Sequence, residues 1–131
     1  MTKPHYEVVA AIIKKEGKVF CCKRGNYGEC ANKWEFPGGK IEPGETHEQA
    51  LIREIKEELN CIIKVNNFIT TVNYEYNTFS ITLHFYLCEL VEGMPMLMEH
   101  TCSMWCDKDE LKELDFAEAD KGIVRALIFE N

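Results

Sequence analysis

Residues 46–59 constrain this chain more than any other stretch. They are rich in Glu, Gln, Ala, Leu and Lys, all good helix formers, and they stand between blocks of apolar, β-branched sequence. Thr46 followed three residues later by Gln49 fits a capping box, so a helix is predicted to open at Thr46. Ala50, Leu51, Ile55 and Leu59 repeat at helical spacing, and Asn60 suits the left-handed residue that ends a helix. An amphipathic helix set among strands has to cover one face of a sheet.

Residues 6–13 (YEVVAAII) read as a strand, 15–18 (KEGK) as a turn, and 19–23 as the returning strand of a hairpin. Residues 25–33 are polar and glycine-containing, hence a loop, and Trp34-Glu35-Phe36 is a short extended piece ending at the turn Pro37-Gly38-Gly39. After the helix, strands are predicted over 61–65, 68–76 and 79–90, separated by Asn66-Asn67 and Asn77-Thr78, with Glu92-Gly93 closing the last. A further strand covers 101–106. Asp107 with Glu110 forms a second capping-box pattern that opens a helix to about Leu114. Residues 119–129 read as a terminal helix with Ile123, Ala126 and Leu127 inward. The expected fold class is α/β (α+β), a mixed β-sheet sandwiched between helices.

A chain of 131 residues, 46% hydrophobic and 28% charged, fits a single domain spanning 1–131. No run approaches the roughly 18 apolar residues that a membrane span needs. The opening residues lack the layout of a secretory signal, so the cytoplasm is the expected location. A net charge of −7 argues against a nucleic-acid surface, because binding phosphate backbones relies on clustered Lys and Arg. Seven cysteines, at 21, 22, 30, 61, 88, 102 and 106, are expected to be reduced and mostly buried; the sharper alternative is a zinc site from His100, Cys102 and Cys106.

The chemistry is concentrated in residues 39–61, GKIEPGETHEQALIREIKEELNC. At about 100° per residue, Glu54, Glu57 and Glu58 share one face of the predicted helix. Like charges so placed cost a helix roughly 0.2–0.5 kcal/mol per pair, and more near a low-dielectric sheet. A divalent cation removes the conflict, and hard oxygen ligands select Mg²⁺, with Mn²⁺ able to substitute. The bland alternative is a solvated acidic face. Its neighbours speak against that: a Pro-Gly-Gly turn just before the helix, Pro43-Gly44 ahead of Glu45, and Arg53 among the acids, where a guanidinium can hold a carboxylate in one rotamer.

This segment resembles the Nudix box, G-x5-E-x7-R-E-U-x-E-E-x-G-U, in which U is aliphatic. Gly39, Glu45, Arg53, Glu54, Ile55, Glu57 and Glu58 match at the required spacing. Asn60 and Cys61 depart from the box glycine and aliphatic; Asn tolerates positive φ and Cys packs as a small hydrophobe, so neither touches the chemistry. Residues 32–40, the strand and turn near Leu90 and Gly93, Glu99 before Trp105, and residues 116–120 also resemble the MutT branch of that family. The resemblance implies a metal site from the Gly38 carbonyl, Glu54, Glu57 and Glu58, joined by Glu99 as ligand or general base. It implies that Arg53 orients a catalytic carboxylate and that Arg24 meets the substrate's phosphates, the alternative for Arg24 being a solvated hairpin-end charge. Glu45 either braces the loop before the helix or complements the helix dipole.

MutT-like enzymes attack the β-phosphorus of a nucleoside triphosphate, releasing the monophosphate and pyrophosphate. The order of preference for the base that takes water's proton is Glu57, Glu54, Glu99. Phe36, Tyr76 and Asp120 are expected in the base pocket, with Val8 and Phe79 as walls. The alternatives are core aromatics for Phe36 and Tyr76, and an N-cap of the last helix for Asp120. An ionised Asp120 would only accept hydrogen bonds, where the branch has an Asn that also donates. The leading expectation is 8-oxo-dGTP hydrolysis in nucleotide-pool sanitation. The rivals are a CTP or oxidised-pyrimidine pyrophosphohydrolase, a hydrolase of ADP-ribose or dinucleoside polyphosphates, and a non-catalytic lesion-recognition module, which the intact glutamates disfavour. The only expected partner is the small-molecule nucleotide, without nucleic acid or membrane, and the expected state is a monomer, with a dimer as the alternative.

Overall fold

The computed structural model describes residues 3–130. Strand β1 (His5–Lys15) turns through Glu16 and Gly17, both at positive φ, into β2 (Lys18–Lys23). Short β3 (Trp34–Glu35) and β4 (Gly38–Lys40) lead to helix α1 (His47–Leu59). Two long strands follow, β5 (Ile62–Glu75) and β6 (Ser80–Glu92), then β7 (Cys102–Cys106). Helix α2 (Lys108–Glu113), a 3-10 turn (Glu118–Asp120) and α3 (Lys121–Phe129) complete the order.

The sheet runs β3-β2-β1-β6-β5, with β4 on β1 and β7 on β2. β1 pairs β6 in parallel from His5↔Ser80 to Ile13↔Cys88, and its other neighbours are antiparallel, so the sheet is mixed. A parallel pair needs a long crossover, and α1 lies within it.

Alternation along β1 builds the layers. Val9, Ala11 and Ile13 pack with Ala50, Leu51, Ile55 and Leu59 of α1, while Ala10 and Ile12 meet Leu111, Ile123, Val124 and Leu127 on the other face. Each fully buried Leu or Ile contributes about 1.5–3 kcal/mol, which holds α1 rigidly on the strands that carry the site. The expected sheet between helices is therefore what forms.

Both capping boxes form as read. Thr46 accepts from Gln49 N–H and Asp107 from Glu110 N–H, and Asn60 ends α1 at φ 52°. Details differ from the sequence reading: the expected turn Pro37-Gly38-Gly39 runs instead into β4, where both glycines pair with β1. Residues 61–65 and 68–76 were expected as separate strands, yet β5 is continuous; bulges at Val65/Asn67 and Phe68/Thr70 absorb the extra residues without a turn. On α3 the buried residues are Ile123, Val124 and Leu127, whereas Ala126 is exposed, because the helix enters from the 3-10 turn with its apolar stripe rotated.

The cysteines are free thiols, buried except for Cys30 and the exposed Cys102. The zinc alternative fails. Cys102 and Cys106 stand at opposite ends of β7, roughly 13 Å apart at strand rise, and the His100 ring is engaged by Glu35.

Candidate active site

The site is built where β4 wedges between β1 and α1. Gly38 pairs with Ala10 and Gly39 with Val9. A β-carbon on Gly38 would run into the Val9 carbonyl, and one on Gly39 into the Glu54 carboxylate. The paired glycines thus let the acidic face of α1 press onto the strand.

Three glutamates project from that face into different surroundings. Glu58 is buried, and one oxygen accepts from the Gly38 N–H at 3.3 Å. Burial, then the charges of Glu35 and Glu54, pushes its carboxyl up to about 9. Glu54, half-sheltered, is raised by burial against the opposing pull of Arg53. Glu57 faces solvent.

Arg53 lies at the centre of the acids. It reaches Glu45 through Nε (2.6 Å) and Nη2 (2.8 Å), Glu54 through Nη1 (2.9 Å), and the Lys40 carbonyl (3.1 Å). Glu45 also accepts from the Glu42 N–H at 2.8 Å, and the Arg53 hydrogen bonds hold its carboxyl at about 2. Thr46 caps α1, while Glu45 turns toward Arg53 and the Glu42 N–H.

Glu99 lies on the segment between β6 and β7, across from α1. That segment is tied to the last carbonyls of α1, Met96 N–H to Leu59 O at 2.7 Å and Met98 N–H to Glu58 O at 3.0 Å, and to β2 by Thr101 N–H to Lys23 O at 3.0 Å. Glu99 is close enough to raise both Glu54 and Glu58. Its neighbour His100 places Nε2 2.9 Å from Glu35 Oε2, and the other oxygen of Glu35 accepts from Arg24 Nη1 at 3.4 Å. Sequence reading missed Glu35 and gave His100 only to a zinc site; a lone Glu before the Pro-Gly-Gly turn and a lone His after Glu99 carry no spacing signal.

A cavity of about 440 Å³ joins these parts. Gly38, Gly39, Glu58 and Glu99 line it together with Arg24, Glu35, Phe36, Tyr76 and Asp120, with Val8 and Phe79 among the walls. Phe36 stacks on Phe116 at 5.3 Å, and Tyr76 stacks on Phe79 at 4.7 Å while its hydroxyl accepts from Ala119 N–H. Both aromatics are thus core residues and cavity walls at once. Arg24 is no solvated charge: it is partly buried beneath Tyr27, and its Nε has no partner.

Asp120 stands where α3 begins but makes no side-chain cap. Its carboxylate is buried and takes the Phe36 N–H at 3.2 Å. Burial, then Glu35, pushes the carboxyl well above its usual range. Burial thus disfavours the ionised, acceptor-only form on which the sequence expectation for Asp120 rests. A neutral carboxyl both donates and accepts, as an amide does.

The charge pattern fits a divalent cation. Glu54 feels the charges of Glu57 and Glu99, Glu58 those of Glu54 and Glu99, and Arg53, the cation among them, is occupied mainly with Glu45. Among the described residues no three such donors are already drawn around a point, so the acids form an open set of hard oxygen ligands.

Comparison with known proteins agrees with this construction. The sequence profile of the NUDIX domain matches residues 8–126, and this chain belongs to that family. It is 36% identical over 122 residues to the 8-oxo-dGTP diphosphatase of Escherichia coli (strain K12), covering 92% of this chain and 95% of that one. To the CTP pyrophosphohydrolase of the same organism it is 35% identical over 122 residues, covering 93% and 90%. The solution structure of the MutT protein from methicillin-resistant Staphylococcus aureus 252 superposes with a TM-score of 0.79 at 38% identity, covering 99% of this chain and all of that one. The MutT Nudix hydrolase of Burkholderia pseudomallei gives 0.84 at 25% identity, covering 94% and 98%. The chain is a Nudix hydrolase of MutT type. Among the described residues no helix is long and apolar enough to cross a membrane.

Proposed function

We propose that this protein hydrolyses a nucleoside triphosphate to the monophosphate and pyrophosphate with Mg²⁺, and that 8-oxo-dGTP is the favoured substrate. The observation that carries the reading is a single cavity lined both by Glu58 and Glu99 and by a buried Asp120. In this reading residues 1–131 act as one Nudix domain on the free nucleotide pool of the cytoplasm, as a monomer, with no nucleic acid or membrane as partner.

The Gly38 carbonyl, Glu54, Glu57, Glu58 and Glu99 would hold Mg²⁺, which would neutralise the polyphosphate and the charge that grows on it during transfer. Arg24, which lines the cavity, meets the phosphates, and Arg53 fixes the Glu54 rotamer. Glu57, with Glu54 and Glu99 as successively weaker candidates, takes a proton from water. The water oxygen bonds to the β-phosphorus as the bond from that phosphorus to the α–β bridging oxygen breaks.

In the same cavity, a protonated Asp120 carboxyl would offer one donor and one acceptor. The 8-oxoguanine edge presents N7–H and O6, which it satisfies, whereas guanine presents two acceptors. Cytosine, with its amine beside N3, satisfies the same pair. Asp120 therefore supports a second reading, CTP or an oxidised pyrimidine nucleotide, in keeping with the similarity to the CTP pyrophosphohydrolase.

The test is kcat/KM for ordinary and oxidised nucleoside triphosphates with Mg²⁺, with pyrophosphate and orthophosphate distinguished. The reading requires pyrophosphate release, strongest with 8-oxo-dGTP, and a fall of several orders of magnitude in kcat for Glu57→Gln with the fold intact. Metal-independent turnover, or near-normal turnover by that variant, removes it.

A further inference from the structure

His100 is a buried imidazole whose Nδ1 has no partner among the described residues, so its polar anchorage there is the contact of Nε2 with Glu35. Because an ionised carboxylate only accepts, Nε2 carries the proton and donates. An apolar side chain would fill this place without leaving a nitrogen unsatisfied; it could not hold Glu35. Glu35 is itself fixed, since β3 pairs with β2 at Cys22↔Glu35 and Arg24 binds its other oxygen.

The position of this anchor in the chain gives it a consequence. Glu99 stands between Met98, whose N–H donates to the Glu58 carbonyl, and His100, whose ring donates to Glu35. One tie leads to the helix that carries Glu54, Glu57 and Glu58, and the other to the strand before the glycine pair. Both flanks of Glu99 are thereby referenced to the two elements that make the acidic site.

We propose that His100 is a positioning residue, whose hydrogen bond to Glu35 sets the Glu99 backbone over the acidic face of α1. The proposal deepens the reading above and rests on it for the role of Glu99. Removing the ring nitrogen frees one flank, so the carboxylate samples a wider volume and meets the cation less often.

Two measurements separate the latch from the reaction. The first is amide hydrogen exchange of Met96 and Met98 in the full chain, without nucleotide. His100→Ala is expected to speed exchange at Met98 roughly tenfold, while His100→Gln, whose amide can replace Nε2–H, restores protection. Glu35→Ala removes the same bond from the other side, so it must reproduce the loosening even should His100→Ala fail to fold. Unchanged exchange at Met98 in a folded variant overturns the proposal.

The second is the Mg²⁺ concentration for half-maximal turnover. His100→Ala is expected to raise it roughly tenfold with little change in nucleotide KM, and to add almost nothing in a Glu99→Gln background. Multiplicative effects in the double variant also overturn the proposal. If the wild type hydrolyses no nucleotide, the functional reading falls, and the exchange experiment still decides the latch.

Discussion

Arg53 and Glu45 are joined by a double hydrogen bond, Nε to Oε2 at 2.6 Å and Nη2 to Oε1 at 2.8 Å. A guanidinium presents donors in a planar fork that a carboxylate matches edge to edge. The fork turned to Glu45 leaves Nη1 for Glu54 and, more loosely, for Glu57 at 3.4 Å. One side chain thus braces the chain before α1 and orients a carboxylate of the site.

Arg53→Lys keeps the charge and loses the fork. A lysine cannot serve Glu45 and Glu54 with the same geometry, so kcat is expected to fall by roughly 10–100-fold, the usual cost of losing a group that orients a metal-binding residue. The wild-type link also has a pH signature. With Glu45 held at about 2 in the fold, its stabilisation is fully present above the ordinary 4.5 and is lost as pH falls toward 2. Acid unfolding followed by circular dichroism should begin at higher pH in the lysine variant.

Glu58 predicts the opposite slope. Its folded carboxyl lies at about 9 against an ordinary 4.5, so between those values the folded state binds a proton that the unfolded state has released. Stability without metal should therefore decline as pH rises through that window. Thermal melts from pH 5 to 9 should show the decline, Mg²⁺ should reverse it, and Glu58→Gln should reduce it while abolishing the Mg²⁺ response. A melting temperature that rises with pH would contradict this account of Glu58.

Gly39→Ala separates helix position from fold. The added methyl collides with the Glu54 carboxylate, which must leave its place beside Arg53. A cost of about 1–3 kcal/mol is expected for the forced packing, leaving a folded protein. Mg²⁺ affinity by calorimetry should fall far more than the melting temperature. Normal affinity would mean that the Glu54 position is not part of the cation site.

Asp120→Asn tests the protonation of the pocket. An amide donates and accepts at every pH, whereas the acid does both only while protonated. Relative kcat/KM among bases should shift more than kcat for any single base. The ratio of 8-oxo-dGTP to dGTP turnover should also become less dependent on pH. Equal changes for all nucleotides would reduce Asp120 to a structural residue.

A different device borders the cavity. Glu29 accepts from Asn77 N–H, Thr78 N–H and Thr78 Oγ, each at 2.8 Å, and so pins the 24–33 loop to the tip of the β5–β6 hairpin. Gly25, Tyr27 and Gly28 of that loop line the cavity. Glu29→Ala should raise nucleotide KM several-fold and leave Mg²⁺ affinity unchanged, because Glu29 binds Asn77 and Thr78 and none of the acids of the site. An unchanged KM would show that the loop does not bound the substrate.

Local rules sufficed wherever a feature repeats within one turn or along one strand. The capping boxes at Thr46 and Asp107, the left-handed Asn60 and the shared face of Glu54, Glu57 and Glu58 need only neighbours three or four residues away, and each stands as the sequence implies. Where the outcome depends on what lies across the fold, sequence reading stopped. Whether Asn66-Asn67 breaks a strand is settled by β6, which tolerates a bulge there. Whether Asp120 caps a helix or faces the cavity is settled by Phe36, 84 residues away. His100 finds Glu35 across 65 residues. Periodicity and spacing place a charge on a face; only packing sets its desolvation and its partner, and those two terms decide its chemistry.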